Sequence, residues 1–298
     1  MWQPPPLVVG VDEEPGRRSA YIFQTGALNP MHSGHVEMLS AAKAKLESVG
    51  YVVRGMWVSP SHDYYVQKKR RNGRAPIALS TEFRLELCRR LTEGTGVGVG
   101  TWEACAPEED APLDDYGRNF PRVAAQLHEL VNRVNAHDGG EVFYVCGSDA
   151  AKKNKVGGLL KGNRPVGPAG CVVVGRDGCD FAKCWRDDEK QRFFLCTTAH
   201  HASVSSTRVR KLYQSLPAPD ARAELDAALG PAAARLLADP TPAERERFAS
   251  DFVELGLLIE DDADQRLADR QMALKKQWTN DRARARNKMA IENKRAKK

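Results

Sequence analysis

Two stretches of the sequence hold residue types that could bind phosphate. The first, Thr25-Gly26-Ala27-Leu28-Asn29-Pro30-Met31-His32-Ser33-Gly34-His35, sets two histidines three positions apart behind a glycine and a proline. A strand that exits at Gly26 and a helix that opens beside His32 would offer an anion backbone N–H groups and the positive end of a helix dipole. Gly26 allows a phosphate-bearing ligand close to the backbone. His32 and His35 can donate imidazole N–H bonds to phosphate oxygens, and Gly34 keeps the space between them clear. The second stretch is Ser205-Ser206-Thr207-Arg208-Val209-Arg210. Ser205 or Ser206 can cap a helix whose first amides, together with the Thr207 hydroxyl and the Arg208 and Arg210 cations, would face the outer phosphates of a nucleoside triphosphate.

The elements that must bring these stretches together are legible as alternating strands and helices. Ala20–Thr25, Tyr51–Val58, Gly96–Trp102, Glu141–Cys146, Gly170–Gly175 and Arg192–Thr197 are short runs rich in β-branched or aromatic residues, and predict six strands. Val36, Leu39, Ala42, Leu46 and Val49 recur at helical spacing after the first strand. A second helix is predicted over 80–93, with Phe83, Leu87 and Leu91. A third opens at Asn119-Phe120-Pro121 and carries Val123, Leu127, Leu130 and Val134. Strands separated by helices of this length require crossovers. The fold class is therefore α/β, a Rossmann-like, doubly wound, mostly parallel sheet with a C-terminal helical extension, and ligands belong at the carboxyl ends of its strands. Residues 1–19 read as a flexible leader, 20–240 as the main domain, and 241–298 as the extension. Thr241-Pro242-Ala243-Glu244 has the form of a capping box opening a helix that runs toward the tail.

Charge is unevenly placed. Residues 265–298 hold twelve Lys or Arg against three acids, a local +9 within a chain of net +6, so residues 1–264 carry −3. The basic end, with Lys294-Arg295-Ala296-Lys297-Lys298, suits an import receptor or nucleic acid as partner, or a plain solvated helix. The early apolar run Leu7–Val11 is too short for a membrane span or a signal segment, so no membrane partner is expected and the location is read as nuclear or cytoplasmic. The seven cysteines lack paired CxxC spacing, which argues for reduced structural thiols rather than zinc or a disulfide framework.

The two motifs together resemble the nucleotidyltransferase superfamily with the T/HxGH motif, and the second resembles the SSTxxR motif of nicotinamide or nicotinate mononucleotide adenylyltransferases of eukaryotic type. Trp102-Glu103, Gly147-Ser148-Asp149, Val174-Gly175-Arg176 and the Ser59-Pro60, Asp63, Tyr65, Lys68-Lys69, Arg84 series resemble further pieces of that family, in order, over about 20–213. The resemblance implies adenylyl transfer from ATP to the phosphate of a pyridine mononucleotide, with direct in-line attack and loss of pyrophosphate. It implies His35, His32 and Arg210 as catalytic residues. Gly26, Ala27, His35, Gly147, Asp149, Ser206, Thr207, Arg208, Val209 and Arg210 would bind ATP. Lys68, Trp102, Leu160 and Arg176 would bind the mononucleotide, although the run Gln67–Arg74 also reads as a solvated loop. Mg²⁺ would be held mainly through ATP phosphates, no protein metal site is expected, and a homo-oligomer is.

Some positions depart from the pattern. Leu160 stands where the family has a Trp for ring stacking, Ala202 lies where an Asn-Asp pair is usual, and Ala27 replaces a Ser. These departures keep open another phosphorylated acceptor, as in a phosphopantetheine adenylyltransferase or a phospho-alcohol cytidylyltransferase. A non-catalytic nucleotide- or nucleic-acid-binding protein retaining the fold is a further alternative. No KMSKS-like run accompanies the first motif, which argues against an aminoacyl-tRNA synthetase.

Overall fold

In a computed structural model of the chain, the described residues are 17–73, 75–101, 103–105, 127–129, 131, 140–154, 169–176, 185–190, 192–198, 204–216 and 219–256. The six predicted strands are all present: β1 (Arg18–Gly26), β2 (Tyr51–Pro60), β3 (Val97–Val99), β4 (Glu141–Gly147), β5 (Gly170–Arg176) and β6 (Phe193–Thr198). They form one sheet in the order β3-β2-β1-β4-β5-β6, and every strand pairing is parallel. The order reverses direction between β1 and β4, where a doubly wound sheet opens a crevice at its carboxyl edge.

Alternation along the strands sets the two faces. Ala20 and Ile22 of β1 join Val58, Phe143, Val145, Val172 and Val174 under helix α1 (Ser33–Ser48), which contributes Leu39, Ala42 and Leu46. Tyr21 and Phe23 point the other way, with Trp57, Tyr144, Cys146, Cys171 and Val173, and meet Leu127 and Val131. Those two residues fall in the predicted third helix; the rest of that segment lies mostly outside the described residues.

Every strand differs from expectation at one or both ends, and for two of them the cause is visible. β1 begins at Arg18, not Ala20, because Arg18 and Ser19 pair with Tyr51 and Val52 and the Arg18 guanidinium lies 4.2 Å over the Tyr51 ring. β3 is shorter than the predicted 96–102: it is an edge strand with β2 as its neighbour, and Gly96 turns at φ 74° just before it.

The stretch containing Lys68 and Lys69 is helical, not a loop. Helix α2 (Asp63–Arg71) is capped by His62, whose ring accepts from Tyr64 N at 3.1 Å. Asp63 occupies the first turn and Lys68, Lys69, Arg70 and Arg71 the last, an arrangement matched to the helix dipole, while Val66 is buried beneath.

Helix α3 (Thr81–Thr92), capped by Ser80, joins two cores. Cys88 belongs with the α1 face. Phe83 and Leu87 face a third cluster built with α5 (Ser206–Gln214), α6 (Pro219–Leu229), α7 (Pro231–Ala238) and α9 (Ala249–Glu254); α4 is Ser148–Asn154. The predicted capping box opens α8 (Pro242–Arg247), with Thr241 N donating to Glu244 Oε2 at 2.7 Å. That helix stops at Arg247. Phe248 turns inward, its ring 4.9 Å from Phe83, before α9 resumes. Packing thus runs without a gap across 240/241, and the basic tail lies outside the described residues. Cys88, Cys146 and Cys171 are buried free thiols, with desolvation pushing Cys88 up to about 12.

Candidate active site

A cavity of about 430 Å³ opens at the carboxyl ends of β1, β4, β5 and β6. Thr25, Gly26, Gly147, Val174, Gly175 and Thr198 form its strand-end floor. Two helices of nine residues or more begin at its rim: α1, with His32, Gly34 and His35, and α5, with Ser205, Ser206 and Thr207. Asp149, at the start of α4, lines it as well. The two sequence motifs therefore meet in one cavity.

The first turn of α1 fixes the chemistry of His35. Its Nδ1 lies 3.2 Å from His32 N and 3.3 Å from His32 O; with the amide, which can only donate, as its partner, Nδ1 accepts. In a neutral ring the proton then resides on Nε2, which makes His35 a hydrogen-bond donor. The His32 and His35 ring centroids stand 4.0 Å apart.

Residues from distant parts of the chain hold the turn that precedes α1. Ser61 N donates to Gly26 O at 2.7 Å and Arg84 Nη1 to Ala27 O at 2.8 Å, from outside the cavity. The Asn29 side chain brackets the strap 77–80, donating to Ile77 O at 2.8 Å and accepting from Leu79 N at 3.1 Å. Ser206 Oγ donates to Pro30 O at 2.9 Å, which joins the second motif to the first. Leu28 takes φ 41°, and the Asn29–Pro30 peptide is cis.

Arg210 completes the join. Its Nη1 donates to Asn29 O at 2.7 Å and its Nη2 to Thr207 Oγ1 at 3.0 Å, while Nε is buried with no partner. These partners are neutral, the side chain is largely buried, and burial pulls its pKa below the ordinary guanidinium value. Among the described residues no carboxylate pairs with it, and a desolvated cation at a cavity wall can take an anion as its partner.

The expected site residues divide. His32, His35, Gly26, Ala27, Gly147, Asp149, Ser206, Thr207 and Arg210 all line the cavity. Arg208 does not: its exposed guanidinium pairs with Glu224 of α6. Val209 is buried in the third core cluster, one helical step from the motif's cavity side. Lys69 lines the cavity in place of Lys68, because consecutive residues on a helix point about 100° apart. Lys68 instead stands 5.9 Å from the Tyr64 ring. Trp102 and Leu160 lie outside the described residues, as does the Arg176 side chain. Glu103, next to Trp102, is buried and accepts from Ser61 Oγ at 2.9 Å.

Sequence reasoning missed Asn29 as a bracket and Arg84 as the buried support of the turn. Arg84 is fully buried and donates to Leu79 O, Ala27 O, Ser61 O, Asp63 Oδ1 and Thr81 Oγ1. One signal was present: Arg84 falls on the apolar side of its helix, with Phe83, Leu87 and Cys88.

A doubly wound parallel sheet, with a His-x-Gly-His helix mouth facing a capped Ser-Ser-Thr-x-x-Arg helix across its crevice, defines a nucleotidyltransferase of the α/β class. No family model matches the chain. A nicotinamide/nicotinic acid mononucleotide adenylyltransferase from Oryza sativa subsp. japonica is 30% identical over 220 residues, 69% of this chain and 81% of the relative. One from Arabidopsis thaliana is 30% identical over 129 residues, 43% of this chain and 48% of that one. The chain belongs to the nicotinamide/nicotinic acid mononucleotide adenylyltransferase family. Among solved structures, it is similar to Plasmodium falciparum nicotinic acid mononucleotide adenylyltransferase complexed with NaAD, at a TM-score of 0.43 and 11% identity over 73% of this chain and 93% of the other.

Proposed function

We propose that the cavity joins ATP to a pyridine mononucleotide, giving a dinucleotide and pyrophosphate. The observation that carries this reading is Arg210, a desolvated cation with no acidic partner among the described residues, set between the openings of α1 and α5. The triphosphate lies across these two helix mouths. Gly26 and Ala27 amides, the Ser206 and Thr207 end of α5 and the His35 Nε2–H bind it, with His32 alongside. Asp149 accepts from a ribose hydroxyl.

No protein nucleophile is required. The mononucleotide phosphate attacks the α-phosphorus in line as pyrophosphate leaves, and the residues stabilise charge moving onto the leaving group. Lys69 meets the incoming phosphate from α2. Among the described residues no group of three or more His, Cys, Asp or Glu is placed to hold a metal. A Mg²⁺ ion would be carried mainly by the substrate phosphates, where it would screen the repulsion between the two anions.

A pyrophosphate-release assay with ATP, Mg²⁺ and a panel of phosphorylated acceptors tests the reading. Release with nicotinamide or nicotinate mononucleotide, lost in His35→Ala, is expected; activity confined to phosphopantetheine would overturn it. We assign the basic tail 265–298 to addressing, as an import or nucleic-acid contact for a nuclear or cytoplasmic enzyme that self-associates. Deleting it should leave turnover intact. Among the described residues no helix is long and apolar enough to cross a membrane.

A further inference from the structure

Helix α9 contributes no residue to the cavity lining, but its Glu254 touches two segments beside it. The Glu254 side chain is 2% exposed, accepts from Ala78 N at 2.9 Å, and stands 3.3 Å from Arg70 Nη1. Ala78 lies in the strap that Asn29 brackets. Arg70 lies on α2, one residue from Lys69. A single buried carboxylate therefore joins the strap behind the Asn29 turn to the helix that carries the Lys69 wall. Asp63 ties the start of α2 to Arg84 at 3.0 Å, and Arg70 ties its last turn to Glu254. Arg70 is itself only 25% exposed, so this pair is screened far less than a surface pair.

We propose that Glu254 is a positioning residue which, acting through Arg70, holds α2 so that Lys69 is set for the anionic acceptor. The proposal rests on the reading above that Lys69 meets the mononucleotide. The triphosphate residues stand at the end of β1, in the turn after it and on α1 and α5, none of them on α2, so loss of the Arg70 pair bears on acceptor binding and not on ATP binding.

Glu254→Gln separates the Ala78 contact from the Arg70 pair, since a side-chain amide oxygen still accepts from Ala78 N but carries no charge for Arg70. Arg70→Met removes the same ion pair from the more exposed end. In the full chain, each variant should raise the mononucleotide KM on the order of tenfold, the scale on which misplacing a binding group acts. The ATP KM and kcat should stay within about twofold, and the double variant should be no worse than either single one. Arg70→Lys should restore most of the affinity, and backbone amide exchange across 63–73 should quicken in both ion-pair variants.

An unchanged mononucleotide KM, additive losses, or a joint fall in kcat and both affinities would overturn the proposal. If Glu254→Gln does not fold, Arg70→Met carries the same test. If the wild-type chain turns over neither mononucleotide, the proposed function fails. Amide exchange then decides by itself whether Glu254 anchors α2, and unchanged exchange overturns the proposal.

Discussion

Replacing Arg210 with methionine should weaken ATP binding while leaving the empty protein about as stable as before. In the folded chain Arg210 makes two hydrogen bonds to neutral partners, Asn29 O and Thr207 Oγ1, and leaves Nε unpaired. Each such bond stabilises by about 1 kcal/mol net. Against them stands the cost of a guanidinium taken out of water without a carboxylate, the reason its pKa is drawn down. Methionine fills similar volume without that cost, so the two effects should cancel to within ~1 kcal/mol. A charge-assisted bond to a triphosphate oxygen is worth about 1.5–3 kcal/mol, which converts to a roughly 10- to 150-fold rise in Kd. Calorimetric titration with ATP and Mg²⁺, alongside urea unfolding of the unliganded protein, reads both quantities. An ATP Kd within about twofold of wild type, or a loss of more than ~3 kcal/mol of stability, would make Arg210 a structural residue and not an anion ligand.

Other perturbations have definite outcomes. Arg84→Met strands five acceptors, including the Asp63 carboxylate, and should cost about 3–5 kcal/mol in urea unfolding; a loss below ~1 kcal/mol would show that the turn stands without it. Glu244 is held well below the ordinary carboxyl value of 4.5 by Arg235 first, then by Thr241 N–H and Arg90. Its stabilising effect is complete above pH 4.5 and is lost as pH falls toward the depressed folded value. The gap in urea midpoint between wild type and Glu244→Gln should therefore narrow steadily below pH 4.5, and a constant gap from pH 7 to pH 3 would contradict this origin. Gly170→Ala would put a Cβ 2.6 Å from the Phe143 ring and 2.7 Å from Arg192 O, an overpacking expected to lower stability by about 1–3 kcal/mol in the same assay.

Features encoded within a short window were legible in the sequence. The strands follow from runs of β-branched and aromatic residues, and the Thr241 box from four consecutive residues. The His32–His35 mouth and the Ser205 cap could be read because strand exit, cap and helix are adjacent. What escaped depends on contacts across the chain. Asn29 meets Leu79 and Arg210, and Arg84 reaches back to Ala27, pairings that no local pattern announces. Helical phase explains the remaining shifts. Lys69 rather than Lys68 reaches the cavity only once α2 is known to be a helix of given orientation, and Val209 turns to the core while Arg210 turns to the site. Arg208 reads as a phosphate ligand from its charge at a capped helix end, and nothing in the sequence marks its pairing with Glu224 on a later helix.

On this account the adenylyl group passes from ATP to a pyridine mononucleotide in this cavity. The most direct test of that transfer follows a label on the α-phosphorus of ATP through a reaction with the purified chain, Mg²⁺ and nicotinamide or nicotinate mononucleotide. Label should appear in the dinucleotide, in step with an equal quantity of pyrophosphate and with inverted configuration at phosphorus. Label that stays in ATP with both mononucleotides, or reaches the product with retained configuration through an adenylylated protein, would contradict it.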